Sequence, residues 1–375
     1  MKLSKLTCAI ALSNLAMGAS MVHAAGAPTL TDVLGASGIT MTGYVDTAYT
    51  HFDSKSSNTP PNYFDEGKSS FNLKQAAIQI AKQPAEGFGG LVNVTLGSDA
   101  DAIKSFPYNG TLGSTTATNS VDVTQAFVQY ASGPLTVIGG KFNTLAGAEV
   151  IAPNGNTNIS RSLAFLNAIA FTHTGIRVSY MPVSSLTLYL GSNNGWDQQK
   201  DTNNGKTAEL GASWTASDMV SAAVYAYSGG ETPAVGADAQ KRTLIDTVIT
   251  VKPTKELALI LNYDMGKQKD ASTVKVGDAK WTAINLYVNY MFTDKLHGSL
   301  RLEQFDDKDG FKLGTIGGMA QKVKGYTYTM GYAAADNFEL RGEIREDKSN
   351  QKAYMKDGSA TDKQQYFAVE GLYKF

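Results

Sequence analysis

The chain ends on Lys363-Gln364-Gln365-Tyr366-Phe367-Ala368-Val369-Glu370-Gly371-Leu372-Tyr373-Lys374-Phe375, a stretch that changes character at every step. Phe367, Val369, Gly371, Tyr373 and Phe375 fall on one face; Tyr366, Ala368, Glu370, Leu372 and Lys374 fall on the other. Strict period-two alternation marks a strand lying between two unlike environments. A soluble sheet produces the same alternation, but it seldom places its final strand, charges included, at the very end of the chain. The closing strand of a transmembrane β-barrel does, with one face toward lipid and the other toward a polar lumen. The stretch alone leaves both readings open.

Upstream, sixteen β-like segments can be read, near 39–52, 71–83, 87–98, 122–132, 135–143, 171–182, 186–192, 206–217, 219–228, 241–252, 256–267, 279–293, 296–306, 321–335, 337–346 and 363–375. Their connections alternate in length. Short ones such as Ser132-Gly133-Pro134, Ser217-Asp218 and Ala335-Asp336-Asn337 take turns with long, Gly/Asn/Asp/Ser/Lys-rich ones at 53–70, 99–121, 144–170, 193–205, 229–240, 268–278, 307–320 and 347–362. Tight turns at one rim and long loops at the other are the construction of outer-membrane barrels. A two-domain soluble β-protein has no reason to alternate its loop lengths so regularly. The expected fold is therefore all-β: a transmembrane antiparallel barrel of about 16 strands, with short periplasmic turns, long extracellular loops and both termini on the periplasmic side.

The faces agree. Leu257, Leu259, Leu261 and Tyr263 oppose Asn262 and Asp264; Leu296, Leu300 and Leu302 oppose His297, Ser299, Arg301 and Glu303; Phe338, Leu340 and Ile344 oppose Glu339, Arg341, Glu343 and Arg345. A charge on the lipid face near the bilayer midplane costs roughly 2–4 kcal/mol, so these charges are expected to point into a wet lumen.

Composition fits an exported membrane protein. Charged residues make up 18%, against about 25% in soluble domains, and a net charge of −1 offers no broad basic field for nucleic acid. Met1 to Ala24 reads as a cleaved signal peptide, with Lys2 and Lys5, an apolar run from Leu6 to Met17, and Val22-His23-Ala24 before the cut. Cleavage would remove Cys8, the only cysteine, and with the two lysines would take the charge from −1 to −3. Residues 25–38 would then form a short periplasmic segment ahead of a barrel at 39–375. Beyond the leader no apolar run approaches the roughly 20 residues of a membrane helix.

From Pro28 onward the chain resembles the OmpL-like β-barrel porin 2 family. The resemblance is carried by Pro28-Thr29-Leu30-Thr31-Asp32-Val33-Leu34 leading into Gly43-Tyr44-Val45-Asp46. More specific are Gly140-Lys141-Phe142-Asn143-Thr144, Gly147-Ala148-Glu149, Ser160-Arg161-Ser162 and His173-Thr174-Gly175-Ile176-Arg177. It implies an outer-membrane location in a Gram-negative cell, contact with outer-membrane lipid, insertion by the barrel-assembly machinery through the C-terminal strand, and a passive channel with no cofactor. General porins are trimers, so a homotrimer is left open.

Segment 144–170 is the longest connection and carries Leu163, Phe165, Leu166 and Ile169, with Phe171 just beyond. That is too much apolar surface to leave in water, so the loop is expected to fold inward. It follows the fifth strand, as does the constriction loop of general porins. By that similarity Glu149 and Arg161 are candidates for the narrowest point; alternatively both pin the loop internally. Arg177, Arg242, Arg301, Arg341 and Arg345 all lie on expected strands. Opposed by Asp46, Glu149, Glu209, Asp246, Glu303 or Glu343, they would set a transverse field favouring hydrated solutes. They could equally form structural salt bridges, as the spacings Arg301/Glu303 and Arg341/Glu343 suggest.

No catalytic or metal motif stands out. His51, His173 and His297 lack ligand spacing, and Asp306-Asp307-Lys308-Asp309-Gly310 lacks the Glu that completes a calcium loop. The sequence thus points to a passive diffusion channel for small hydrophilic solutes and ions. The alternatives are a solute-specific pore for a sugar or organic acid, with Tyr44, Phe127 and Tyr189 as an aromatic track, and a plugged barrel serving as an enzyme or adhesin.

Overall fold

A computed structural model of the chain describes residues 29–56, 64, 69–103, 105, 120–232, 238–313 and 319–375. The signal peptide expected at 1–24 lies outside the described residues. A helix, α1 (Leu30–Ser37), precedes the barrel. Thr29 caps it by accepting from Asp32 N, while the Asp32 carboxylate takes the Thr29 amide at 2.8 Å. Gly38, at φ 67°, ends it in the left-handed conformation.

Sixteen strands follow: β1 Thr40–Phe52, β2 Ser70–Lys82, β3 Gly87–Leu96, β4 Val121–Ser132, β5 Leu135–Asn143, β6 Thr172–Val183, β7 Leu186–Asn193, β8 Thr207–Ser217, β9 Val220–Glu231, β10 Gln240–Val251, β11 Leu257–Gln268, β12 Ala279–Met291, β13 Leu296–Asp307, β14 Gln321–Ala335, β15 Phe338–Ser349 and β16 Lys363–Lys374. Each pairs with its sequence neighbours, and β16 pairs antiparallel with both β15 and β1, which closes the sheet. Closure leaves no row of unpaired backbone groups, the condition for a sheet to sit in hydrocarbon. The expected boundaries agree to within three residues throughout, and residue for residue in β5 and β14.

The two faces of every strand meet different media. On β16, Phe367, Val369 and Tyr373 are exposed outward while Tyr366, Ala368, Glu370 and Leu372 are buried. Phe71 and Phe88, 86% and 79% exposed, show how apolar the outer surface is. Aromatic pairs gather at both of its rims. Phe88–Tyr130, Tyr290–Phe292 and Tyr373–Phe375 lie near the short turns, and Tyr49–Phe71 lies near the long loops. Such girdles mark the two membrane interfaces of a barrel. The apolar core is inside the barrel. It gathers segment 144–170 against inward-facing Tyr225, Tyr227, Leu244, Trp281, Phe305 and Val323.

One small sheet was not foreseen. Lys55–Ser56, Tyr354–Lys356 and Ser359–Thr361 pair across the long-loop rim and tie the first loop to the last, with Lys356 Nζ 2.7 Å from Asp53 Oδ2. These pieces are too short to read as strands from the sequence.

Closure also explains a glycine. Gly43 N donates to Phe375 O at 2.8 Å and Phe375 N donates to Gly43 O at 2.9 Å. A Cβ on Gly43 would stand 2.4 Å from the Phe375 ring and 2.7 Å from Ala77 O. Gly43→Val should therefore cost about 1–3 kcal/mol by overpacking. Its folded, heat-modifiable fraction on electrophoresis should fall below wild type; an unchanged fraction and unfolding midpoint would show that the seam tolerates the side chain.

Candidate functional site

Segment 144–170, between β5 and β6, crosses the barrel interior. Gly147 lets it turn inward: its φ is 92°, and a Cβ there would come within 2.8 Å of Ile169 Cδ1. A short helix, α2 (Leu163–Asn167), forms in the segment, capped by Ser162 Oγ accepting from Phe165 N at 3.1 Å. Its apolar residues explain why it packs. Leu163, Phe165, Leu166 and Ile169 are all buried, and Phe165 packs edge to face with Phe64 and tilted against Phe171.

A segment without regular pairing leaves backbone groups that burial would strand. The wall supplies the partners. Glu343 accepts from Ile159 N at 2.7 Å and Ser160 N at 3.0 Å, and Glu303 accepts from Leu163 N at 2.6 Å. Arg301 donates to Ser160 O at 2.6 Å, Arg345 to Arg161 O at 2.7 Å and Arg341 to Pro153 O at 3.2 Å. Trp281 Nε1 holds Ala168 O, and Gln75, on β2, holds Ile151 O.

Charges close around those contacts. Arg301 Nη1 lies 2.9 Å from Glu149 Oε1 and its Nε 3.2 Å from Glu303 Oε1, and Arg345 Nη2 lies 3.2 Å from the same Glu303 oxygen. Glu149 also accepts from Ser162 N at 2.7 Å. Arg161 donates to Ile151 O at 2.8 Å and lies over Phe64 and Phe165. Glu149 and Arg161 thus bind within the segment and to the wall. Arg301 pairs with Glu303 and Arg341 with Glu339, each two residues along one strand. Asp46 is buried at the β1–β16 seam near Glu370.

The opposite wall is different. Arg177 and Glu209 pair there at 2.9 Å between Nη2 and Oε2, and Arg177 lies 4.2 Å from the Phe142 ring centroid. Asp246 faces Asp264 across β10 and β11 and takes Asn262 Nδ2 at 2.7 Å. Around them, inward-facing Thr136, Ile138, Ser179, Thr187, Tyr189, Ser213 and Ser221 are only half-buried. A hydroxyl-rich wall along β5–β9 is accessible, while most inward-facing residues of β12–β16 are buried. On the short-turn side a cleft of about 390 Å³ opens beneath Asn154–Thr157, lined by Lys252, Lys255, Asn289, His297, Glu339 and Arg341.

The three residues expected as an aromatic track are dispersed. Tyr44 is buried and donates to Gln75 Oε1 at 2.8 Å, while Phe127 and Tyr189 are half-buried on β4 and β7. His173 stacks on Tyr227 and His297 lies 2.6 Å from Glu339. Asp307, in the run faintly like a calcium loop, accepts the amides of Phe311, Lys312 and Leu313, so its carboxylate caps a loop. Sequence reasoning missed one group: Arg242, Lys312, Trp196, Trp281 and Phe311 converge at the long-loop mouth. Two of the chain's three tryptophans sit there, which was the available signal.

The sequence profile of the family described as "Putative beta-barrel porin-2, OmpL-like" matches residues 38–375. The chain belongs to this porin family. Membership places it in the outer membrane, with the fold and family of a channel. Among solved structures it is similar to the anion-selective porin from Comamonas acidovorans (14% identity, TM-score 0.64, covering 90% of this chain and 99% of that one). It is also similar to the outer membrane channel DcaP of Acinetobacter baumannii (12% identity, TM-score 0.61, 90% and 97%). A third is the trimer form of OmpT from Vibrio cholerae (10% identity, TM-score 0.59, 90% and 99%). No curated protein matches. At these identities the solved structures support the fold alone.

The amides of Ile159 and Ser160 depend on one carboxylate. Charge-assisted hydrogen bonds contribute about 1.5–3 kcal/mol, so Glu343→Gln should speed hydrogen exchange at both amides by roughly 10- to 150-fold. Leu163, held by Glu303, should change much less. Equal exchange in variant and wild type would mean the segment is held by packing alone.

Proposed function

We propose that the mature chain is a passive diffusion channel for small hydrophilic solutes and ions across the outer membrane of a Gram-negative cell. The observation that carries the reading is the asymmetric interior: a charged wall clamps the inward-folded segment to one side and leaves a half-exposed, hydroxyl-rich wall on the other. Barrels of this strand number leave an aqueous lumen unless loops fill it. In this reading Arg242 borders the passage at its long-loop mouth, and Arg177 and Asp246 are buried in the wall behind it. Glu149, Arg161, Arg301, Glu303, Arg341 and Glu343 set its width by fixing the segment, while Asp46 lies buried at the β1–β16 seam. Movement needs no covalent step and no cofactor, and the protein is not an enzyme.

Residues 1–24 would be removed on export and 25–38, including α1, would lie in the periplasm. The alternating C-terminal strand ending in Phe375 suits recognition by the barrel-assembly machinery, and the trimer form of OmpT makes a homotrimer the leading assembly. A second reading, a channel selective for a class of solutes, is favoured by the cationic and aromatic lining of the long-loop mouth.

Refolded mature protein in a planar bilayer should give discrete open steps, and under a salt gradient the reversal potential should report the sign of the dominant fixed charge. A folded barrel that stays silent would overturn the channel reading.

A further inference from the structure

At the long-loop mouth two cations share one aromatic enclosure. Lys312 Nζ lies 4.9 Å from the Trp196 ring centroid, 4.7 Å from Trp281 and 5.5 Å from Phe311. The Arg242 guanidinium lies 4.8 Å from Trp196 and 5.6 Å from Phe311. The two indoles meet edge to face at 6.3 Å. Lys312 and Arg242 are both half-buried, so a solute in the mouth can reach them.

Like charges so close normally have a carboxylate between them. Among the described residues neither cation has one at ion-pair distance, although acids stand nearby. Those acids lie beyond ion-pair distance, remain part of the local field and accept from other groups. Asp307 holds three amides, Asp197 accepts from Phe171 N and Thr172 N, and Glu231 accepts from Trp196 N and Thr207 Oγ1. Arg242 spends Nε on Gln268 Oε1 at 2.6 Å, which leaves its Nη donors. Cation–π contact offsets only about 0.5–2 kcal/mol of such crowding.

We propose that this enclosure is a binding station for the carboxylate of an organic anion, held between Arg242 and Lys312 with its apolar body against Phe311, the half-buried ring of the group. The station deepens the second reading above, naming the solute class, and rests on this mouth being an entrance to the channel. A guanidinium fork beside an ammonium suits a carboxylate, and the rings favour an organic ion over chloride. The groups facing Lys312 are Arg242, Asp307, Asp197 and Glu231. Burial, with Arg242 alongside, pushes the Lys312 ammonium down to about 7. It is therefore charged below that pH and neutral above it, so binding should weaken as pH rises through this value.

The test is calorimetric titration of the refolded full-length mature barrel in detergent with benzoate, with neutral benzamide and inorganic phosphate as comparators. Benzoate should bind saturably, benzamide should not, and phosphate should bind more weakly. Lys312→Gln and Arg242→Gln should each weaken benzoate roughly tenfold or more, the loss of one charge-assisted contact. Lys312→Arg, charged at every pH, should keep binding and lose the pH dependence. Absence of saturable benzoate binding to a barrel shown to be folded, equal binding of benzamide, phosphate binding at least as tightly as benzoate, or undiminished binding in Lys312→Gln would each overturn the station. Open conductance steps without benzoate binding would sink the station and spare the channel. Benzoate binding to a barrel that never conducts would sink the channel and spare the station.

Discussion

The interior depends on Glu303. Its carboxylate lies between Arg301 and Arg345 and at the same time takes the amide of Leu163, at the start of α2. Arg301 reaches on to Glu149 and to the backbone of Ser160. Buried ion pairs seldom add net stability, because desolvation offsets the attraction; removing one partner, however, costs about 3–5 kcal/mol. The network is thus best understood as positional. It makes one placement of segment 144–170 much better than its neighbours, and that placement decides which wall of the barrel is sealed and which stays open.

The barrel makes this possible. Strands that alternate lipid-facing and lumen-facing side chains can carry Arg301, Glu303, Arg341, Glu343 and Arg345 without exposing a charge to hydrocarbon. Closure through β1 and β16 removes the edges that would otherwise be left unpaired. With the outside apolar, the only place for a charge network is inward. The segment's own apolar residues then supply the rest of the packing, against Trp281 and Phe305.

Most of the fold was legible because it is written with period two. The alternation in β16, the faces of β11, β13 and β15, and the alternating loop lengths are local patterns that need no tertiary knowledge. The site was legible in part. Spacing two residues along a strand placed Arg301 beside Glu303, and the apolar content of 144–170 predicted that it folds inward. Partners far apart in sequence were not readable: Arg301 with Glu149, Glu343 with the Ile159 and Ser160 amides, Gln75 with Ile151 O. Nor was the mouth. Lys312 lies in a loop of ordinary polar composition, and only the three-dimensional return of that loop brings it over Trp196 and Trp281. The two-residue spacing would pair Arg341 with Glu343; in the fold it turns to Glu339 and Glu370, because Glu343 is occupied by the segment's backbone.

The central claim, that wall carboxylates hold the segment and so set the width of the passage, is tested most directly by liposome swelling with neutral sugars of graded size. Wild type and the Glu303→Gln/Glu343→Gln double variant would be compared at matched amounts of folded protein. The account predicts a shifted size limit in the double variant, since the segment is no longer fixed in one place. An identical limit in the two proteins would contradict it.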